Sequence, residues 1–110
     1  MKTVTLIGSG FSSLSAACYM AKNGYKVTLF EKNETIGGRA RQFTEEGFTF
    51  DMGPTFYWMP DLIERFFNDF GKTSADYYDL IRLDPGYKIY FSEKEALSVS
   101  ADLTEIYAMF

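Results

Sequence analysis

The chain has 110 residues, a net charge of -4 and a sequence pI near 4.7. That balance lacks the clustered Lys and Arg that a nucleic-acid backbone requires, so nucleic acid is excluded as an expected partner. One Cys rules out an intramolecular disulfide and the absence of His removes the commonest metal ligand and general base, so no metal is expected and redox chemistry would have to come from a cofactor.

Thr3 to Ile7 is short, β-branched and apolar, the pattern of a buried parallel strand. Its position leaves no room for a targeting peptide, and no apolar run approaches the roughly eighteen residues of a membrane span, which predicts a cytoplasmic setting. Beyond a turn, Leu14, Ala17, Cys18 and Ala21 fall on one helical face, with Gly24 as its stop. Lys26 to Phe30 reads as a second strand. Strand, tight turn, helix and strand in about thirty residues form a right-handed β-α-β unit.

The turn itself reads Gly8-x-Gly10-x-x-Ser13, where a dinucleotide fold carries G-x-G-x-x-G/A. The first glycine permits the bend, the second lets the main chain approach a diphosphate, and the third position must be small for helix and strand to pack. Ser13 departs from Gly or Ala but remains small. The opening N–H groups of the helix, at Phe11, Ser12 and Ser13, and its dipole then attract the phosphates. Glu31 stands eighteen positions after Ser13, an acceptor-only group suited to a ribose diol and repelling a 2′-phosphate. Taken singly, the glycines also fit an ordinary turn and Glu31 a solvated strand end.

A nicotinamide-binding domain continues with a crossover helix after the acid. Here Lys32 leads instead into the adjacent Gly37 and Gly38, followed by Arg39 and Arg41. Paired glycines admit a second close backbone approach, and arginines there offset diphosphate charge; the alternative is a turn into a hairpin with solvated arginines.

VTLIGSGFSSLSAACYMAKNGYKVTLFEKNETIGGRARQF, followed by GFTFDMGPTFYW, resembles the amino terminus of FAD-dependent carotenoid desaturases of the bacterial phytoene desaturase type. Amine oxidases and protoporphyrinogen oxidases share the glycine turn, the acid and the G-G-R element, while Phe50 to Thr55 is closer to the carotenoid branch. The resemblance implies an α/β fold, a Rossmann-like FAD-binding β-α-β unit followed by the hairpins and helices of an incomplete flavoprotein. It implies that Gly8, Gly10 and Ser13 contact the pyrophosphate, Glu31 with Lys32 the adenosine side, and Gly37, Gly38 and Arg39 the phosphate and ribityl region. Gly53, Pro54 and Thr55 would run near the flavin. It also implies an apolar carotenoid substrate, hydride transfer to FAD, and a peripheral membrane enzyme whose membrane surface lies outside this chain. No catalytic side chain is assigned. A noncatalytic FAD-binding fragment remains the alternative from another class.

Residues 1–55 are therefore expected to form the FAD-binding part and 56–110 the start of a truncated substrate-side region. Arg39 to Phe43 and Phe48 to Met52 read as a hairpin through Glu45-Glu46-Gly47. Pro60 opens a helix carrying Leu62, Ile63, Phe66, Phe67 and Phe70, closed by Gly71. Leu80 to Leu83 and Tyr87 to Phe91 flank Asp84-Pro85-Gly86, a type II turn signal between two strands. The aromatics from Phe43 to Phe91 serve either as packing or as a lining for hydrocarbon. Asp102 caps a last helix whose apolar positions still run at Phe110, so the chain is read as an amino-terminal piece.

Overall fold

The computed structural model describes residues 1–54 and 56–109; the predicted flavin-side residue Thr55, like Phe110, lies outside them. Strand β1 (Thr3–Ile7) and strand β2 (Lys26–Phe30) pair in parallel, with Val4 opposite Val27 and Leu6 opposite Leu29. The connection is helix α1 (Phe11–Lys22), which packs on both strands. The predicted β-α-β unit is present. Alternation places Val4, Leu6, Val27 and Leu29 under the helix, half-buried. The opposite face, with Ile7 and Phe30, is exposed, so β1, expected to be a buried strand, is covered on one side only. On α1, Leu14 and Ala17 are half-buried, but Cys18 and Ala21 are exposed; the covered part of the helix lies toward its N-terminal half, over 13–17 and Tyr19.

Strands β3 (Gln42–Glu45) and β4 (Phe48–Asp51) form the expected hairpin, joined through Glu46 and Gly47. Both turn residues have positive φ, +48° and +83°, the geometry that matches a two-residue connection to strand twist. Phe43 and Phe50 face each other across it with ring centroids 5.0 Å apart and nearly parallel. The first hairpin strand starts later than predicted because Gly38–Ala40 coil into a 3-10 turn.

Helix α2 (Pro60–Asp69) begins on its proline, as the fixed φ of Pro favours, and closes through the Gly71 N–H on the Asn68 carbonyl. It docks on α1. The Tyr19 ring lies 5.8 Å from Phe66 and 5.2 Å from Phe70, and its hydroxyl donates to Asp69 Oδ2 at 2.5 Å. Lys22 donates to the Asp69 carbonyl and sits over the Phe70 ring. Donation to Asp69 raises the Tyr19 pKa. Phe66 and Phe70 are thus packing residues, the first of the two roles the sequence leaves open.

These elements make one compact unit, residues 1–71; residues 72–110 make a second. The functional boundary expected at residue 55 falls inside the first unit. In the second, strand β5 (Tyr87–Tyr90) pairs antiparallel with strand β6 (Ala96–Val99), not with Leu80 to Leu83, which form no strand. With no strand before it, Asp84-Pro85-Gly86 does not connect two strands as predicted. The Gly86 N–H instead joins the β5–β6 ladder through the Val99 carbonyl at 2.8 Å. Helix α3 (Leu103–Ala108) is capped by Asp102, whose Oδ1 accepts from the Thr104 N–H at 2.7 Å; that bond lowers the Asp102 pKa. The helix ends at Ala108, earlier than its apolar pattern suggests. Among the described residues, no apolar side chain is fully buried and no helix is long and apolar enough to cross a membrane.

Candidate functional site

The carboxyl end of β1 runs into Gly8, whose φ of +88° turns the chain and whose N–H donates to the Phe30 carbonyl at 2.7 Å, tying the turn to the end of β2. Ser9 comes next and is 1% exposed. Its N–H and its hydroxyl both donate to Glu31 Oε2, at 2.7 and 2.6 Å. The other oxygen, Oε1, accepts from the Asn33 N–H at 2.9 Å and from Asn33 Nδ2 at 2.7 Å. Hydrogen bonds from the Ser9 hydroxyl, the Asn33 backbone and the Ser9 backbone hold the Glu31 carboxyl at about 2, below the usual carboxylate range. The acid therefore sits against the glycine turn, ionised.

The second glycine segment arrives at the same place. The Gly37 N–H donates to the Ser9 carbonyl at 2.9 Å, and Gly10 and Gly37 form an isolated parallel bridge. A Cβ on Gly38 would stand 3.0 Å from the Gly10 Cα, at a φ of +61°. A Cβ on Gly53 would run into the Arg39 carbonyl, so the exit of β4 lies on the 3-10 turn. The sequence suggests that Gly37 and Gly38 are bare to meet a ligand. The structure gives different immediate reasons: Gly38 passes too close to the Gly10 main chain for a side chain between them, and a Cβ on Gly37, at a φ of +109°, would press on Arg41 of its own turn. Arg39 is exposed on that turn, whereas Arg41 donates from Nε to Met52 Sδ along the hairpin.

Gly10 is different. A Cβ built there meets nothing within 4 Å. Gly10 is also the N-cap of α1, no side chain caps that end, and its first turn carries no acidic residue. The N–H groups of Phe11, Ser12 and Ser13 at the helix start, with its dipole, thus adjoin open space over a bare Cα. Anionic oxygen fits that donor set, and the Glu31 carboxylate can accept from a sugar hydroxyl where one of its four present donors gives way. The residues present fit a dinucleotide.

Of the predicted residues, the structure brings together Gly8, Gly10, Phe11, Ser12, Ser13, Glu31, Gly37 and Gly38, with Arg39 and Gly53 joined through the 3-10 turn. Lys32 and Pro54 are exposed and outside this cluster. Ser9 and Asn33 escape the sequence reading although they hold the acid. The available signals were a hydroxyl between two glycines and an amide two residues beyond the acid.

In the second unit, an open hollow of about 400 Å³ includes Asp84, Lys88 and Glu105 in its lining; none of the predicted residues lines it.

The model of the NAD(P)-binding Rossmann-like domain matches residues 6–70, more than half of the sequence and all of the cluster described above. The chain belongs to this family. Within the Rossmann-like set, it is 52% identical over 107 residues to a carotenoid 3,4-desaturase of Haloarcula japonica, covering 97% of this chain and 22% of that protein. It is 46% identical over 103 residues to a 4,4′-diapophytoene desaturase of Staphylococcus haemolyticus, covering 94% of this chain and 21% of the relative. A Staphylococcus aureus protein of the same name is 42% identical over 106 residues, 96% of this chain and 21% of its own length. The chain thus spans about a fifth of the length of the curated relatives it matches.

Proposed function

We propose that this chain is the dinucleotide-binding portion of an FAD-dependent carotenoid desaturase. The observation that carries the reading is the meeting of three segments at Ser9 and Gly10: the Glu31 carboxylate below, Gly37 alongside, and an open, uncapped helix end above. That arrangement supports one diphosphate over Gly10 and one sugar at Glu31. The similarity to carotenoid desaturases supports FAD as the dinucleotide and a carotene as the substrate. The exposed apolar face of the parallel sheet, with Ile7 and Phe30, supports a fuller fold around it.

In this reading the Phe11, Ser12 and Ser13 N–H groups bind phosphate oxygens, Gly10 leaves room for them, and Glu31 orients the ribose. Arg39, exposed beside the paired glycines, balances diphosphate charge. Lys32, Gly53, Pro54 and Thr55 stay in the proposed cofactor region by resemblance alone. A bound flavin supplies the two-electron redox chemistry that no side chain here provides. A carotene presents no polar handle, so its binding rests on burial, at roughly 25 cal/mol per Å² of apolar surface. A substrate of that kind is drawn from a membrane, which makes peripheral membrane association part of the proposal.

The test is coexpression of the complete protein carrying this sequence with a phytoene-producing pathway. Coloured products with lengthened conjugation are expected, together with protein-bound flavin. Unchanged carotene from a well-expressed protein would sink the assignment.

A further inference from the structure

Glu31 is saturated before any ligand arrives. An ionised carboxylate offers about four lone-pair positions. Ser9 N–H and O–H fill Oε2, and Asn33 N–H and side-chain N–H fill Oε1, all between 2.6 and 2.9 Å. A sugar hydroxyl can donate to this acid only where one of those donors withdraws. The two backbone N–H groups cannot withdraw without moving the chain. The Ser9 hydroxyl belongs to a residue 1% exposed, and turning away would strand it from water. Asn33 is half-buried at the rim, so its amide can rotate out and find solvent partners.

We propose that Asn33 is a selectivity residue of this turn: its side-chain amide holds the Oε1 position in the free chain and gives it up, N–H for O–H, to a ribose hydroxyl. The proposal rests on the reading of Glu31 as the sugar-binding acid. The exchange keeps the number of donors on the carboxylate constant, so the empty turn stays satisfied and preformed. It also sets a threshold: a ligand without a hydroxyl to offer cannot replace the amide.

The experiment titrates the complete protein carrying this sequence, freed of flavin, and its Asn33→Ala variant with ADP and with 2′,3′-dideoxy-ADP. The backbone amides of Gly10 and Phe11 and the Asn33 side-chain amide are followed by NMR. With ADP, the Asn33 side-chain protons should move to solvent-like positions, and Asn33→Ala should bind roughly 3- to 10-fold more tightly, the size of one exchanged hydrogen bond. With the dideoxy compound, the Asn33 protons should stay in place and the two proteins should bind alike. Equal or weaker ADP binding by Asn33→Ala, with Gly10 and Phe11 still responding, overturns the exchange and leaves the nucleotide site standing. No response at Gly10 or Phe11 to either compound, in either protein, overturns the nucleotide site and the exchange together. Should the variant fold poorly, the Asn33 protons of the unmodified chain decide alone: unmoved by saturating ADP, they refute the exchange.

Discussion

The four donors on Glu31 give one carboxyl group a pH signature of its own. Its pKa is lowered from 4.5 to about 2 on folding, so the stability it contributes is present above pH 4.5 and is lost as pH falls from there toward 2. The Ser9 amide resonance should therefore titrate with a midpoint near 2, and Glu31→Gln should remove that transition; a midpoint near 4.5 contradicts the bonding described. The glycines divide by what a Cβ would meet. At Gly10, with φ -69° and free space, valine should cost the fold only about 1 kcal/mol as a poorer N-cap, while blocking nucleotide access. At Gly53, alanine should destabilise the first unit by about 1–3 kcal/mol by pressing on the Arg39 carbonyl. Chemical denaturation of both variants, with flavin content of the Gly10 variant in the complete protein, checks the contrast. Flavin incorporated normally by Gly10→Val would refute the diphosphate position.

Between elements, the docking of α2 on α1 rests on rings. Tyr19→Phe keeps the contacts with Phe66 and Phe70 and removes only the donor to Asp69, whereas Phe66→Ala removes an aromatic anchor and should cost about 1–3 kcal/mol. Hydrogen exchange of α2 amides should rank protection as unmodified chain, then Tyr19→Phe, then Phe66→Ala; the reverse order of the two variants would contradict ring packing. Elements with a strong period or a sharp stop were legible in the sequence: α1, α2 with Pro60 and Gly71, and the Glu46–Gly47 hairpin. The β5–β6 pair was not, because Leu80 to Leu83 offers an equally apolar neighbour beside a conspicuous Asp-Pro-Gly. The true partner, Ala96–Val99, is plain in composition and lies beyond a polar turn. At the site, spacing announced the glycines and the acid. It could not announce Ser9 and Asn33, whose roles arise only once Glu31 is folded onto the turn.

Over the whole molecule, burial is shallow. With no fully buried apolar side chain among the described residues, and with Ile7, Phe30 and Trp58 largely exposed, the chain alone should bind ANS and unfold over a broad temperature range. It should also retain little FAD; a sharp calorimetric transition with stoichiometric flavin would contradict both expectations. The bridge from Gly10 to Gly37 sets one more condition. Asn33 is pinned to Glu31 and Gly37 to Ser9, leaving Glu34, Thr35 and Ile36 as a strap of fixed span between two anchors. Such a strap acts as a ruler: a residue inserted within it would throw the second glycine pair out of step with the first, whereas the hairpin tip at Glu46 and Gly47 has no such measure to keep.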